Sequence, residues 1–559
     1  MVSKKRIGEI LIEDFRLITP SQLNEALEKQ QGVDKKIGEI LVEDKVITPQ
    51  QLGEALQYQL GIPYVDLSTY RIDRNASQLV PEGLARRHNV LPVGMEDNKI
   101  VLVMDDPMDI IAIDDIRMTT SYDTRILMSS RDSIRKAISN IYVQSEAASR
   151  AIQELSRNDQ ENETRQAVES AEVSNAPVVR LVNQVISGAI KSRTSDIHIE
   201  AFERGGKVRY RIDGKLREVM TIPKGSHTAI VARVKIMGGM DIAEHRIPQD
   251  GRVETVVEGK AVDLRISILP TVFGEKVVIR ILDRSSILMT RSQLGFTEHN
   301  MKLFDRIIKA PEGIILITGP TGSGKSTTLY ACLNEMNDPG SNIITVEDPV
   351  EYRLEGINQV QVNTKAGLTF AGGLRSILRQ DPDIVMVGEI RDAETAEIAT
   401  KAAITGHTVL STLHTNDTVS TVFRLIDMGI EMFMVSTALV GVIAQRLVRR
   451  ICNQCKERVM PTVEEMMILR LDKPIFLYRG RGCNLCNGTG YFGRIAIHEI
   501  LVIDRPIRTI ISKNGDASTI KDAAVSAGMK TLHDSAKELV LTGVTTVEEM
   551  LKVTYSVDD

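Results

Sequence analysis

The sequence has no tryptophan, and its 10 phenylalanines and 11 tyrosines bring aromatic residues to only 4% of 559. Proteins that grip single-stranded nucleic acid stack bases on aromatic side chains, and so thin a supply argues against such a platform. Neither sign of charge dominates: 69 basic residues face 74 acidic ones, for a net charge of −5. That balance argues against direct nucleic-acid binding by overall electrostatics, leaving only a local basic patch. No run of about 18 apolar residues occurs, so no segment reads as a membrane-spanning helix. The stretch from Met1 to Glu9 meets an acidic residue before any apolar core forms, and it does not read as a secretory signal. Cysteine is limited to Cys332 and two Cys-x-x-Cys pairs, Cys452/Cys455 and Cys483/Cys486. In a chain this long the pairs read as metal ligands, not a disulfide framework, and the expected location is cytoplasmic.

What is present is ample for several cores. The composition is 42% hydrophobic and 26% charged, ordinary for a globular protein, and the length predicts three or four domains. Residues 1–60 contain a duplication. Ile7-Gly-Glu-Ile-Leu-Ile-Glu-Asp14 recurs at Ile37–Asp44, Leu17-Ile-Thr-Pro20 at Val46–Pro49, and Gln22-Leu-Asn-Glu-Ala-Leu27 at Gln51–Leu56. Each copy reads as helix, turn, helix, with Thr19 or Thr48 as N-cap and proline at the first helical position. Residues 61–143 read as a small α/β remainder of this N-terminal domain, with a buried strand over 98–104 and a helix over 131–142. The Glu-, Ser-, Gln- and Asn-rich stretch 144–175 reads as a linker.

A second α/β region covers 176–291. It opens with a helix over 178–192, and Asp213-Gly214 is a hairpin signal between alternating strands. From 292 to 559, short apolar strands alternate with helices, which predicts a parallel sheet.

The chemistry concentrates in that last region. Gly319-Pro320-Thr321-Gly322-Ser323-Gly324-Lys325-Ser326-Thr327 is a complete phosphate-binding loop between an apolar strand and a helix. Its glycines let backbone N–H groups turn toward phosphate oxygens, and the helix N-terminus adds about half a positive charge. Lys325 is expected at the β- and γ-phosphates of ATP and Ser326 on Mg²⁺. Two later strands end in acids, Ile343-Ile-Thr-Val-Glu347-Asp-Pro-Val-Glu351 and Asp383-Ile-Val-Met-Val-Gly388-Glu389. The C-terminal strand ends of a parallel sheet gather ligands, so both acids are placed to face the loop. One would orient attacking water and the other would serve the metal.

These segments, followed by Arg375-Ser-Ile-Leu-Arg379 and Gly406-His407-Thr-Val-Leu-Ser-Thr-Leu-His414, occur in the order found in the secretion ATPase superfamily. The chain resembles its type IV pilus assembly ATPases and type II secretion ATPases over nearly its whole length. The resemblance implies an α/β multidomain fold. A RecA-like P-loop NTPase core would follow a PAS-like α/β domain and a small helical-repeat N-terminal domain. It implies Glu347 as catalytic, Glu389 as the atypical Walker B acid, and His407 and His414 as a histidine box. It also implies Arg252, Arg265 and Arg280 as arginines reaching the triphosphate from the preceding domain, where a planar guanidinium suits spread phosphoryl charge. Arg375 and Arg379 share a helix face and could bridge subunits. The implied assembly is a homo-hexamer peripheral to the membrane, working through an inner-membrane platform protein.

Four thiolates in two knuckles suit tetrahedral Zn²⁺, so a zinc insertion is expected over 452–486, with Cys332 simply buried. The N-terminal repeat resembles the tandem motifs of cyclic di-GMP-binding domains, which singles out Arg6, Gly8, Lys36 and Gly38. It departs from them by one extra residue near Phe15, by Lys36 in place of arginine, and by Lys45 where glycine is usual. A helical docking module remains the other reading. The leading expectation is an ATPase motor for pilin polymerisation. A type II secretion ATPase, a nucleotide-regulated binding module with little turnover, and a nucleic-acid motor stand as alternatives.

Overall fold

The structure is a computed structural model that describes residues 5–30, 36–67, 70, 72–77, 79–139, 141, 176–257, 259–283, 290 and 293–554. The expected linker 144–175 and the spacer 31–35 between the repeats lie outside the described residues. The chain divides into two compact units. One comprises Met1–Gly188, Cys452–Lys456 and Gly480–Tyr491; the other comprises Ala189–Ile451, Glu457–Arg479 and Phe492–Asp559.

In the first unit the duplication is physical. Its core contains Ile10, Leu11, Ile18 and Ala26 from one copy, and Ile40, Leu41, Ile47 and Ala55 from the other, at equivalent repeat positions. Thr48 accepts from Gln51 N and caps helix Pro49–Leu60, with Gln51 returning the bond. Thr19 and Gln22 make the same exchange. The extra residue of the first copy is taken up by a π-turn over Ile10–Asp14, closed by Phe15 N donating to Ile10 O. Arg16 and Lys45, which end the first helix of each copy, both have positive φ (52° and 56°). That is why glycine is usual there. Strands β1 (Val90–Glu96), β2 (Lys99–Met104) and β3 (Asp123–Met128) follow, antiparallel then parallel.

The second unit begins with a six-stranded antiparallel sheet. Its strands are β4 (Thr194–Phe202), β5 (Gly205–Ile212), β6 (Lys215–Ile222), β7 (Gln249–Val257), β8 (Lys260–Thr271) and β9 (Gly274–Asp283), in the order β6-β5-β4-β9-β8-β7. Asp213 and Gly214 both adopt positive φ at the β5–β6 turn, as the Asp-Gly signal predicts. One register row crosses this sheet: Arg252 faces Arg265, Arg265 faces Arg280, Arg280 faces Asp196, and Asp196 faces Arg211. Directly opposed residues share a face, so four arginines and one aspartate line up together.

The remaining strands are β10 (Gly313–Thr318), β11 (Ile343–Glu347), β12 (Asn358–Gln361), β13 (Ile384–Val387), β14 (Thr408–Leu413), β15 (Leu439–Ile451), β16 (Lys456–Val459), β17 (Leu477–Gly480) and β18 (Tyr491–Val502). Seven of them form the sheet β12-β11-β13-β14-β10-β15-β18. Pairings from β12 through β15 are parallel. Every residue of β10, β11, β13 and β14 is buried, as a sheet covered on both faces requires. β14 lies between the phosphate-loop strand β10 and the acidic strand β13, the RecA-like arrangement.

No helix among the described residues is long and apolar enough to cross a membrane.

Candidate functional site

The phosphate loop connects β10 to helix Lys325–Met336. Gly319 has φ 149°, and a Cβ there would lie 2.5 Å from Gln445 O. Gly324 has φ 89°, and a Cβ would meet Gln445 Nε2 at 2.8 Å. Glycine is therefore required at both positions by conformation and by space. Lys325 is buried and donates to the carbonyls of Gly319 at 2.7 Å and Pro320 at 3.2 Å. Burial depresses its pKa, opposed by the nearby Glu389 charge and reinforced by Arg446. The buried Ser323 hydroxyl has no hydrogen-bond partner among the described residues, whereas Thr321, Gly322 and Ser326 are exposed. An orphaned hydroxyl beside open glycine N–H groups and a lysine fits a phosphate.

Glu347 ends β11 and is buried. Tyr330, on the phosphate-loop helix, donates its hydroxyl to Oε2, while Thr345 (2.6 Å) and Gln359 (3.0 Å) donate to Oε1. Among the described residues no cation pairs with it. A buried carboxylate held only by neutral donors is costly, and such groups concentrate at functional sites. Burial and the Glu347 charge push the Tyr330 phenol well above its ordinary pKa.

Glu389 follows β13 and pairs with Arg391 at 2.5 Å and with His414 Nε2 at 3.4 Å. His414 follows β14 at the same end of the sheet. His407 does not come to the loop. It precedes β14, seven residues before His414, which is about 23 Å along a strand. Its Nδ1 sits 3.0 Å from Ala402 O, and its carbonyl accepts from Gly313 N. Within one chain it is a turn histidine at the opposite, N-terminal end of β14.

The three arginines separate as well. Arg265 pairs with Glu351 at 2.5 Å and donates to Val350 O at 2.9 Å, reaching the segment just beyond Glu347. Arg280 instead donates to Asp196 at 3.1 Å. Arg252 is bidentate to buried Asp263 and also pairs with Glu254. Arg375 pairs with Glu394, and Arg379 donates to Arg375 O and Ser376.

Two residues outside the motifs complete the site. Gln445 on β15 is buried; it donates to Ser323 O at 2.9 Å and accepts from Thr328 at 2.7 Å. Its neighbour Arg446 is also buried, with Nη1 3.0 Å from where a Cβ on Gly319 would lie. A Gln-Arg pair directly after the apolar run Leu439–Ala444 was the available sequence signal.

The four knuckle cysteines are buried, unbridged, and converge with sulfurs all within 4.8 Å of one another. Cys452–Cys483, Cys455–Cys486 and Cys483–Cys486 are each separated by 3.8 Å. A tetrahedron with metal–sulfur bonds of about 2.3 Å has edges of about 3.8 Å, so the set fits zinc. Backbone N–H groups of Gly482, Cys483 and Gly490 point at Cys455 and Cys486 sulfurs. Cys332 is fully buried, as expected.

Gly8 and Gly38 have a packing reason of their own. A Cβ would strike Leu23 at 2.8 Å and Leu52 at 2.5 Å, respectively. Lys36 pairs with Asp106 at 3.1 Å. Arg6 donates its backbone N–H to Glu9.

Residues 171–552 match the family model described as Type II/IV secretion system protein, and residues 60–148 match the MshEN domain. The Type IV pilus assembly ATPase PilB of Thermus thermophilus is 46% identical over 98% of this chain, which spans 66% of that relative's length. The protein of the same name in Myxococcus xanthus is 42% identical over 98% of both chains. The Type II secretion system protein E of Pseudomonas aeruginosa is 50% identical over 71% of this chain and 79% of its own. The RecA-like strand order, the phosphate loop and the matched span agree: the chain belongs to the Type II/IV secretion system protein family.

Proposed function

We propose that this chain is an ATPase motor for type IV pilus assembly, hydrolysing Mg·ATP to drive pilin polymerisation. The observation that carries the catalytic reading is the juxtaposition at the C-terminal ends of β10, β11 and β13. The phosphate loop, the cation-free carboxylate of Glu347, and the Glu389–His414 pair converge there.

Bound ATP supplies a phosphoryl group and a leaving diphosphate. Glycine N–H groups and Lys325 hold the phosphates, and Ser326 offers an exposed hydroxyl to Mg²⁺ at the first turn of its helix. Oε2 of Glu347, which accepts only from Tyr330, keeps a lone pair to orient a water, while Tyr330, Thr345 and Gln359 fix the carboxylate plane. Glu389 is placed to order the metal's water shell, and His414 senses the charge that develops on the γ-phosphoryl group. Arg265 extends from the antiparallel sheet to the segment after Glu347 and transmits the state of the site to that domain; Arg280 and Arg252 extend the cationic row.

The working assembly is a homo-hexamer, peripheral to the cytoplasmic face of the inner membrane and acting through a platform protein. Zn²⁺ sits in the Cys452/Cys455/Cys483/Cys486 knuckle as a structural ion. The N-terminal repeat takes cyclic di-GMP, with Arg6 and Lys36 as the charged contacts.

Similarity to the two pilus assembly ATPases over 98% of this chain supports pilus assembly. The higher identity to a type II secretion protein over the shared portion supports the second reading, a pseudopilus motor for protein export. Deletion in the source organism separates them. Loss of surface pili with normal protein export supports the first reading, and loss of export with intact pili supports the second.

A further inference from the structure

Arg446 is a buried cation that pairs with no carboxylate among the described residues. Its guanidinium donates to carbonyls instead: Nη2 to Asn416 O at 2.6 Å and Asn416 Oδ1 at 3.4 Å, and Nη1 to Gln445 O at 3.1 Å. The two acids whose fields reach it are turned elsewhere. Asp417 caps the next helix through Ser420, and Glu499 accepts from Thr418 and Leu532. Burial pushes the Arg446 guanidinium below its ordinary pKa, and its charge helps depress Lys325. Two cations thus crowd one buried neighbourhood beside the phosphate loop. Such a charge is expensive unless something neutralises it. It stands beside Gly319, and it holds the carbonyl of Asn416, two residues beyond His414.

We propose that Arg446 is a positioning residue whose positive charge is balanced by the bound polyphosphate and not by any carboxylate of the protein. Resting on the nucleotide-site reading above, this assigns the site a second fixed cation behind the loop, additional to Lys325. The same guanidinium fixes the turn that carries His414. Arginine suits the role because its planar fork serves two carbonyls at once while staying charged.

The test uses the full-length chain, with Mg·ADP as the probe and adenosine as the phosphate-free control. Arg446→Gln should weaken Mg·ADP binding by about tenfold or more, leave any weak adenosine binding unchanged, and melt without nucleotide at the wild-type temperature or above. A merely structural arginine would do the reverse: the variant would melt lower without nucleotide and bind ADP as tightly as wild type. That result overturns the proposal. Arg446→Lys keeps the charge and loses the fork, so its ADP affinity should stay within about threefold of wild type. A folded Arg446→Lys that loses as much affinity as the glutamine variant assigns the effect to geometry alone and also overturns it. Wild-type protein that binds no Mg·ADP would defeat the nucleotide-site reading itself, an outcome distinct from a wild type and variant that bind equally.

Discussion

Tyr330, on the helix that starts at the phosphate-loop lysine, donates its hydroxyl to Glu347 and accepts the Glu351 N–H at 3.1 Å. A single phenol thus ties the phosphate-loop helix, the buried carboxylate of Glu347 and the segment that Arg265 grips. Tyr330→Phe removes that tie with little change in shape. It leaves a buried carboxylate oxygen short of a donor, at a cost of about 1–3 kcal/mol in stability. Turnover should fall about tenfold or more while Mg·ADP affinity changes little, because in the proposed role of Glu347 the bond serves the reacting water and not the resting nucleotide. Steady-state kinetics beside equilibrium ADP binding checks this.

The Arg265–Glu351 pair should be energetically coupled. Single substitutions Arg265→Ala and Glu351→Gln and their combination form a double-mutant cycle. An interaction of about 0.5–3 kcal/mol in turnover is expected for residues in direct contact. Arg252→Ala should affect stability more than turnover, since its fork is occupied by buried Asp263. Additive effects at Arg265 and Glu351 would show that the contact does not matter to the reaction.

Lys325 gives the site a pH signature. Its pKa lies below the ordinary 10.5, chiefly through burial. In the window between its lowered value and 10.5 the folded chain holds fewer protons than the unfolded one. Phosphate binding favours the charged ammonium, so Mg·ADP binding should take up protons in that window and weaken as pH rises through it. Calorimetry in two buffers of different ionisation enthalpy reads the proton uptake directly. Proton release would contradict the assignment.

The knuckle should carry about one zinc per chain by elemental analysis, with four thiolates leaving no open coordination position. Cys455→Ser or Cys483→Ser should lose the metal and lower the melting temperature. None of the four cysteines contributes a side chain to the phosphate loop, so nucleotide binding should survive.

Much of this was legible in the sequence because each signal is local. The phosphate loop needs glycines at φ values that other residues avoid, and Gly319, Gly322 and Gly324 all stand within one short segment. The knuckles are Cys-x-x-Cys pairs whose spacing already restricts the geometry. The repeat showed its own core, since Ile10 and Ile40 or Ala26 and Ala55 recur at matching positions. What stayed hidden depends on tertiary register. His407 and His414 look like one motif, but a buried strand separates them by its full length and sets them at its opposite ends. Arg252, Arg265 and Arg280 share a register row, yet Asp263, Glu351 and Asp196 give each a different partner. Gln445 and Arg446 lie over a hundred residues from the loop they brace, and no spacing rule connects the two.

The most direct measurement is phosphate release from Mg·ATP by the purified full-length chain and its Glu347→Gln variant, with Lys325→Ala as the binding control. Wild type should release phosphate at a steady rate. Glu347→Gln should bind Mg·ADP normally while releasing phosphate about a hundredfold more slowly, and Lys325→Ala should fail at binding. Equal rates for wild type and Glu347→Gln, or no release by wild type even with its membrane fraction supplied, would contradict the account.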